Sequence, residues 1–272
     1  MGAAAEAEGR DAAWRCRDWA AWAGLVVLTV CWVSLTRYSG PWFPQKAPGV
    51  GGPADDGVIR VILDPGHGGV DGGAVGNGLR EKDLCLEVAL ELRNELEGRG
   101  WTVVMTRQDD RFLSLRERIA TANGYWRAFF VSLHFNHGQS AAAEGIEVFY
   151  ADPKSTGAEG ELAARLGEGK TKGIAADSRG WSFATRVQRS LIRSTGAVDR
   201  GVKNRPDFAV VRHVVLPAVL VEGGFVSNRK EADRLGDPEY RKKLVQGMAS
   251  GIEEFIVENG GDPYRGVSLL ED

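Results

Sequence analysis

The stretch VIRVILDPGHGG, residues 58–69, decides the fold of this chain. Its first six residues form a short apolar and β-branched run, which is typical of a strand that is buried on both faces. Asp64, Pro65 and Gly66 end the run, because proline lacks an amide donor and glycine favours turns. A buried strand that stops at a polar loop is typical of a parallel sheet, whose ligands gather beyond the carboxyl ends of the strands.

Helical and strand patterns alternate after this stretch. Apolar residues at helical spacing predict helices over 82–97, over 114–123 with Ser114 as cap, from about residue 182, and over 238–257. Short apolar runs predict strands over 58–63, 102–106, 129–133, 145–150, 208–211 and 218–221. The alternation favours an α/β fold, a three-layer sandwich with a mostly parallel six-stranded sheet.

Composition excludes several classes of protein. The chain has 272 residues, a hydrophobic fraction of 43% and a net charge of −3, as expected of one globular domain with a small appendage. The absence of a basic excess argues against nucleic acid as a partner. The three cysteines show no CxxC spacing, so they predict neither a disulfide framework nor a thiolate zinc site. Cys85 is expected to be a buried, inert thiol in a helix.

The N-terminus predicts a membrane anchor. Trp19 to Thr36 is a run of 18 residues without a charge, which as a helix would span about 27 Å. Arginines precede the run, so residues 1–18 should be cytoplasmic and the following domain should lie outside the cytoplasm. A Gly- and Pro-rich linker follows at 37–56, then a catalytic domain at 57–258 and a tail at 259–272. Two alternatives are a cleaved signal peptide, which would give a secreted protein, and a buried core helix.

Three of the predicted strands lead into polar residues that a sheet core does not require. His67 follows VILDPG, His134 follows FFVSL, and Glu222 follows AVLV. Glu81 comes 14 residues after His67, beyond a flexible Gly-rich segment that can return it to the same edge. Two imidazoles and a carboxylate would hold Zn²⁺ with one position left for water, and Glu222 could then act as general base. Each residue alone also has a structural interpretation: a hydrogen-bonded histidine at the rim, a helix-stabilising charge, or an ordinary loop.

Five segments together resemble the zinc-dependent N-acetylmuramoyl-L-alanine amidases of septal and germination type. They are VILDPGHGGVDGGAVG (61–76), REKDLCLEVALELRNEL (80–96), TRQDDRFLSLRERIATAN (106–123), FVSLHFN (130–136) and PAVLVEGGFVSN (217–228). The resemblance implies one Zn²⁺ held by His67, Glu81 and His134, with Glu222 as the catalytic carboxylate. It also implies hydrolysis of the amide between the lactyl group of N-acetylmuramic acid and L-alanine in peptidoglycan.

The matching segments also suggest roles for residues beside the metal ligands. Asp64 and Asn136 would orient the metal ligands by hydrogen bonds, and a structural role in loops is the alternative. Arg116 is expected to form a structural ion pair. His137 and His213 fall outside the matching segments and are expected to lie at the rim and in a turn.

The region 152–180 departs from the pattern, because it is longer than a minimal connection. It could be a solvated surface insertion, or it could cover the zinc and block it with Glu159 or Glu161. No wall-binding repeat is visible in the sequence, so targeting would fall to the anchor or to an activator protein. Two rival functions remain: a zinc peptidase acting on peptide stems, and a silent wall-binding protein.

Overall fold

A computed structural model of the chain describes residues 56–152 and 179–263. The predicted anchor, Glu159 and Glu161 therefore lie outside the described residues, as does nearly all of the 152–180 region. Among the helices that are described, none is both long and apolar enough to cross a membrane.

A six-stranded sheet forms the centre of the domain. Its strands are β1 (Arg60–Pro65), β4 (Thr102–Met105), β5 (Ala128–Asn136), β6 (Ile146–Tyr150), β7 (Asp199–Asn204) and β8 (Ala218–Phe225). Two further strands, β2 (Val75–Gly76) and β3 (Leu79–Arg80), form a separate short antiparallel pair. The spatial order in the six-stranded sheet is β4-β1-β5-β8-β6-β7. All neighbouring pairs in that sheet are parallel except β6 with β8. The predicted α/β class and mostly parallel six-stranded sheet are thus confirmed.

Within residues 56–152 and 179–263, six helices surround this sheet. They are α1 (Glu81–Gly98), α2 (Leu115–Asn123), α3 (Arg179–Thr195), α4 (Ala209–Arg212), α5 (Arg229–Gly236) and α6 (Pro238–Glu258). Ser114 caps α2 in a reciprocal capping box with Glu117, as the sequence predicts. The predicted bounds of α1, α2 and α6 agree with the structure to within one or two residues.

Alternate residues along the strands face opposite sides of the sheet and pack into two separate hydrophobic cores. One face of the sheet packs on α1, α3 and α6, with Val61, Phe129 and Val221 among its buried residues. The other face carries Ile62 and Phe130 and packs on the shorter α2 and α4. His134 and Glu222 occupy the even-numbered positions of β5 and β8, and so they point to this second, thinner side. The two helical layers confirm the three-layer arrangement.

One predicted strand is wrong. Residues 208–211 do not join the sheet, because Ala209–Arg212 forms the short helix α4. The sixth strand is Asp199–Asn204, at the edge of the sheet. An edge strand needs few apolar residues, and Val202 alone in this one packs against the main core. A four-residue apolar run such as FAVV fits a buried helical turn as well as a strand.

Candidate metal centre

His67, Glu81 and His134 converge at the carboxyl edge of β1 and β5. The nitrogen and oxygen atoms that they offer all lie within 4.8 Å of one another. His67 lies in the loop after β1, Glu81 is the first residue of α1, and His134 is in β5. The fold therefore brings together the three residues that the sequence predicts as a metal site.

Glu81 is the centre of this group. Its Oε1 lies 2.9 Å from Nδ1 of His134 and 3.0 Å from Nε2 of His67. The backbone amide of Phe135 donates to the same oxygen, and that of Ala74 donates to Oε2. Backbone donors thus hold the carboxylate in place independently of the two imidazoles.

The loop that carries His67 has an unusual backbone. His67 has φ 58°, in the left-handed region that non-glycine residues rarely adopt. Two arginines bind the carbonyls of this loop: Arg118 donates to the carbonyl of His67 at 2.6 Å, and Arg107 donates to that of Gly66 at 2.6 Å. Both arginines are buried. Their hydrogen bonds compensate for a loop conformation that is costly by itself.

Asp64 supports the loop from inside the sheet. It is fully buried and accepts hydrogen bonds from Arg118, Thr106 and Ser132. Arg118 joins the carboxylate of Asp64 to the backbone of His67. Among the described residues, Asp64 thus supports the His67 loop through Arg118 and makes no hydrogen bond to the side chain of His67, Glu81 or His134.

Two glycines allow the ligands to approach the loop closely. A Cβ atom on Gly66 would lie 2.4 Å from the imidazole of His134. A Cβ atom on Gly73 would lie 2.7 Å from both Glu81 Oε2 and the ring of His67. Such distances are too short for real contacts, so the Gly-rich segment contributes to the shape of the site as well as to its flexibility.

Glu222 lies beside the three converging residues. It is the register partner of His134 across β5 and β8, and of Glu147 across β6 and β8. Its Oε2 is enclosed and makes no hydrogen bond within residues 56–152 and 179–263. Both His134 and Glu222 lie within their strands, whereas the sequence places them just beyond the strand ends.

The pKa values of the two carboxylates in the site are shifted in opposite directions. Burial opposes ionisation of Glu81, but hydrogen bonds from His134 and His67 outweigh it and hold the pKa of Glu81 well below its usual range. Burial raises the pKa of Glu222 well above its usual range, and the charges of Glu81 and Glu147 raise it further. Burial also opposes the charged form of His67, but Glu81 and Asp71 raise its pKa on balance.

Several predicted residues lie apart from the converging ligands. Asn136 donates to Glu147 at 2.8 Å, and within the described part of the chain it makes no hydrogen bond to the side chain of His67, Glu81 or His134. The buried ion pair of the α2 segment belongs to Arg118, not to Arg116, which is exposed. His137 is exposed, and His213 caps the C-terminus of α4.

Four residues near the site are not predicted from the sequence: Arg107, Arg118, Glu147 and Arg200. A charged residue inside the apolar strand GIEVFY was the signal for Glu147. Cys85 is fully buried in α1, as predicted, and burial raises the pKa of its thiol well above the usual range.

The donor set fits a zinc ion. Two imidazoles and one carboxylate are a common catalytic zinc set, and they leave the fourth tetrahedral position open. Nδ1 of His67 is enclosed and lacks a hydrogen bond of good geometry within the described ranges, although it lies 2.9 Å from Asp71 Oδ1. A carboxylate that orients a ligating histidine through its other ring nitrogen is typical of zinc sites.

Comparisons with known proteins agree with this geometry. The profile of the N-acetylmuramoyl-L-alanine amidase family matches residues 61–254. A sporulation-specific N-acetylmuramoyl-L-alanine amidase of Bacillus subtilis is 32% identical over 199 residues, which are 72% of this chain and 68% of the relative.

Two solved structures are similar in fold as well. The catalytic domain of CwlV, an N-acetylmuramoyl-L-alanine amidase from Bacillus (Paenibacillus) polymyxa, superposes with a TM-score of 0.61 at 33% identity, over 74% of this chain and 99% of that one. The CwlD amidase from Clostridioides difficile, solved in complex with the GerS lipoprotein, gives a TM-score of 0.62 at 27% identity, over 74% and 99%. The chain belongs to the N-acetylmuramoyl-L-alanine amidase family.

Proposed function

We propose that this chain cleaves the amide between N-acetylmuramic acid and L-alanine with His67, Glu81 and His134 as zinc ligands and Glu222 as general base. The family to which it belongs consists of hydrolases that act on peptidoglycan. The single observation that carries the residue assignment is the convergence of the three ligand atoms within 4.8 Å, beside a carboxylate in register with one of them.

The chemistry divides between the metal and Glu222. When bound, Zn²⁺ lowers the pKa of coordinated water and polarises the amide carbonyl. Glu222 accepts a proton from the attacking water and then delivers it to the leaving amine of L-alanine. Its enclosed position in register with His134 suits this role, because the carboxylate is held beside a proposed zinc ligand.

The neighbouring residues hold this arrangement. The amides of Phe135 and Ala74 fix Glu81, and Arg118 fixes the His67 loop. These contacts are independent of substrate, so the site is preorganised before the amide enters.

The test is a comparison of wild type with Glu222→Gln on purified sacculi. The variant removes the proton acceptor but keeps the shape of the side chain, so release of new L-alanine amino termini should fall at least about a hundredfold. Zinc content should stay at one equivalent, since Glu222 is not one of the proposed ligands. Asp233→Asn, an exposed carboxylate on α5, is the matched control. Equal release by wild type and Glu222→Gln would disprove the assigned role.

Product analysis separates this function from its two rivals. An amidase releases intact stem peptides from glycan, whereas a zinc peptidase cuts within the stem. A silent wall-binding protein would release nothing and would not respond to removal of metal. The presence of all three ligands and Glu222 favours an active amidase.

We further propose that residues 19–36 hold the domain at the outer side of the cell membrane. The uncharged run and the arginines before it support this proposal. Cell fractionation of the full chain and of a chain lacking 19–36 tests it. Recovery of both chains in the soluble fraction would contradict an uncleaved anchor.

Two regulatory features stay proposals. The 152–180 region with Glu159 and Glu161 could gate the site, and its deletion should then raise the hydrolysis rate. An activator protein is supported by the relative that was solved in complex with a lipoprotein. Unchanged activity after the deletion would leave the region as a surface insertion.

A further inference from the structure

A row of polar side chains crosses four neighbouring strands at the metal edge of the sheet. His134 lies on β5, Glu222 on β8, Glu147 on β6 and Arg200 on β7. His134, Glu222 and Glu147 are register partners and so project to the same face. Arg200 lies where the register of β6 and β7 shifts, and its side chain joins the row through a hydrogen bond to Glu147. The row therefore continues from the proposed zinc ligand and base to a cation at the rim.

Glu147 joins two cations to this row. Its Oε2 accepts from Nε of Arg200 at 2.9 Å and from Nζ of Lys203. Its Oε1 accepts from Asn136. Burial opposes the ionised form of Glu147, but Lys203 and Arg200 outweigh it and lower its pKa. One carboxylate thus faces two cations, and within residues 56–152 and 179–263 neither cation has a second carboxylate partner.

Arg200 is held in position yet accessible. Its guanidinium lies 4.8 Å from the centroid of the Phe225 ring, and its side chain is 34% exposed. The only other hydrogen bond that it makes to the described residues is a long one of 3.4 Å to the carbonyl of Glu144. A guanidinium that is fixed by a carboxylate and a ring, with donors left over, is preorganised to bind a carboxylate.

The spacing fits a stem peptide that starts at Glu222. Adjacent strands are about 4.8 Å apart, so the backbones of β8 and β7 are separated by about 10 Å. The side chain of Arg200 covers part of that distance, because it reaches Glu147 on the intervening strand. Two residues of extended peptide span about 7 Å. A carboxylate on the second stem residue would therefore reach Arg200 while the scissile amide lies at Glu222.

We propose that Arg200, supported by Glu147 and Lys203, is a subsite for a carboxylate on the second residue of the stem peptide. This proposal rests on the proposed amidase function. It specifies a substrate whose second stem residue carries a free carboxylate. Peptides with that carboxylate amidated would lose the charge-assisted hydrogen bond to Arg200.

The experiment measures binding of two product dipeptides to the zinc-loaded protein by calorimetry. The dipeptides are L-alanyl-D-glutamic acid with its γ-carboxyl capped as a methylamide and its α-carboxyl either free or amidated. Wild type should bind the free acid about tenfold more tightly, as expected for one charge-assisted hydrogen bond. Arg200→Gln should bring the ratio of the two dissociation constants close to one. Arg200→Glu should make the amidated dipeptide the tighter ligand.

Arg99→Gln is the matched control. Arg99 is a partly exposed arginine that pairs with Glu95 and Glu253 on the helical layer of the opposite face. This variant should keep the wild-type preference. If Arg200→Gln does not fold, Arg200→Lys keeps the charge beside Glu147 and should lower the ratio by losing the planar fork.

Equal affinity of wild type for both dipeptides, or an undiminished preference in the folded Arg200 variants, would overturn the subsite. Release of L-alanine termini from sacculi is measured separately. Release by wild type without discrimination between dipeptides would overturn the subsite and leave the amidase function intact, whereas absence of release would count against the function itself.

Discussion

Gly66 sets how closely the His67 loop approaches the second imidazole. A Cβ atom at this position would lie 2.4 Å from Cε1 and 2.5 Å from Nε2 of His134. We therefore expect Gly66→Ala to displace His134 and to weaken zinc binding about tenfold or more, as disturbance of ligand orientation does. Titration with Zn²⁺ against a competing chelator measures this.

Gly72→Ala is the control for that substitution. Gly72 lies in the same loop, but a Cβ atom there would have nothing within 4 Å. Its zinc affinity should stay within about twofold of wild type, since the ligands need not move. If the two variants bind zinc equally well, steric exclusion at Gly66 does not shape the site.

Individual residues differ in how well the sequence predicts them. His67 and His134 could be identified because they follow apolar runs, and Glu81 because a Gly-rich segment can return its carboxylate to the same edge. Arg107 and Arg118 could not, because nothing local indicates that a guanidinium will be buried against loop carbonyls. Their role depends on a positive φ at His67, which is a property of the folded loop rather than of the sequence pattern.

At the scale of elements, the contact between α3 and α6 depends on small residues. A Cβ atom on Gly251 of α6 would lie 2.6 Å from Cα of Val187 in α3. Because backbone cannot move away cheaply, we expect Gly251→Ala to lower the free energy of unfolding by about 1–3 kcal/mol. Urea unfolding of the metal-loaded protein provides the measurement.

Gly98→Ala is the control for a helical glycine that has open space around it. Gly98 ends α1, and a Cβ atom there would have nothing within 4 Å. Alanine should leave stability unchanged or raise it by about 0.5 kcal/mol, because it restricts the unfolded chain. A loss of stability in Gly98→Ala equal to that in Gly251→Ala would show that helix packing is not the cause.

Elements with a strong apolar period could be predicted, whereas those at the sheet edge could not. Helix α1 buries Leu84, Val88 and Leu92 at steps of four, and its prediction is confirmed. Strand β7 has a single core residue, so its polar sequence DRGVKN gives no strand signal. Only pairing with β6 makes this segment a strand, and pairing is a tertiary property.

For the whole molecule, the sequence predicts the class of fold but not the direction of every strand. The parallel order β4-β1-β5-β8 follows from alternating helices and strands. Strands β6 and β7 reverse direction relative to β8, and this reversal places Glu147 and Arg200 at the metal edge. Local sequence carries no signal for that reversal.

Zinc binding should stabilise the whole domain in a pH-dependent way. In the metal-free protein, the raised pKa of His67 reflects a charged imidazole paired with Glu81 and Asp71. The stability that this pairing contributes is fully present below pH 6.5, the ordinary pKa of histidine. It is lost as the pH rises through the raised pKa of His67. Zinc requires neutral imidazoles, so its binding competes with protonation.

The increase in Tm on adding zinc should therefore be small at about pH 5.5 and should grow as the pH rises to about 8.5. Thermal unfolding with and without Zn²⁺ across this range measures it. Glu81 should contribute no pH dependence here, because its lowered pKa keeps it ionised throughout. Replacing His134 by Ala should remove most of the zinc-induced increase at every pH. An increase that does not change with pH would contradict imidazole ligation of the metal by His67.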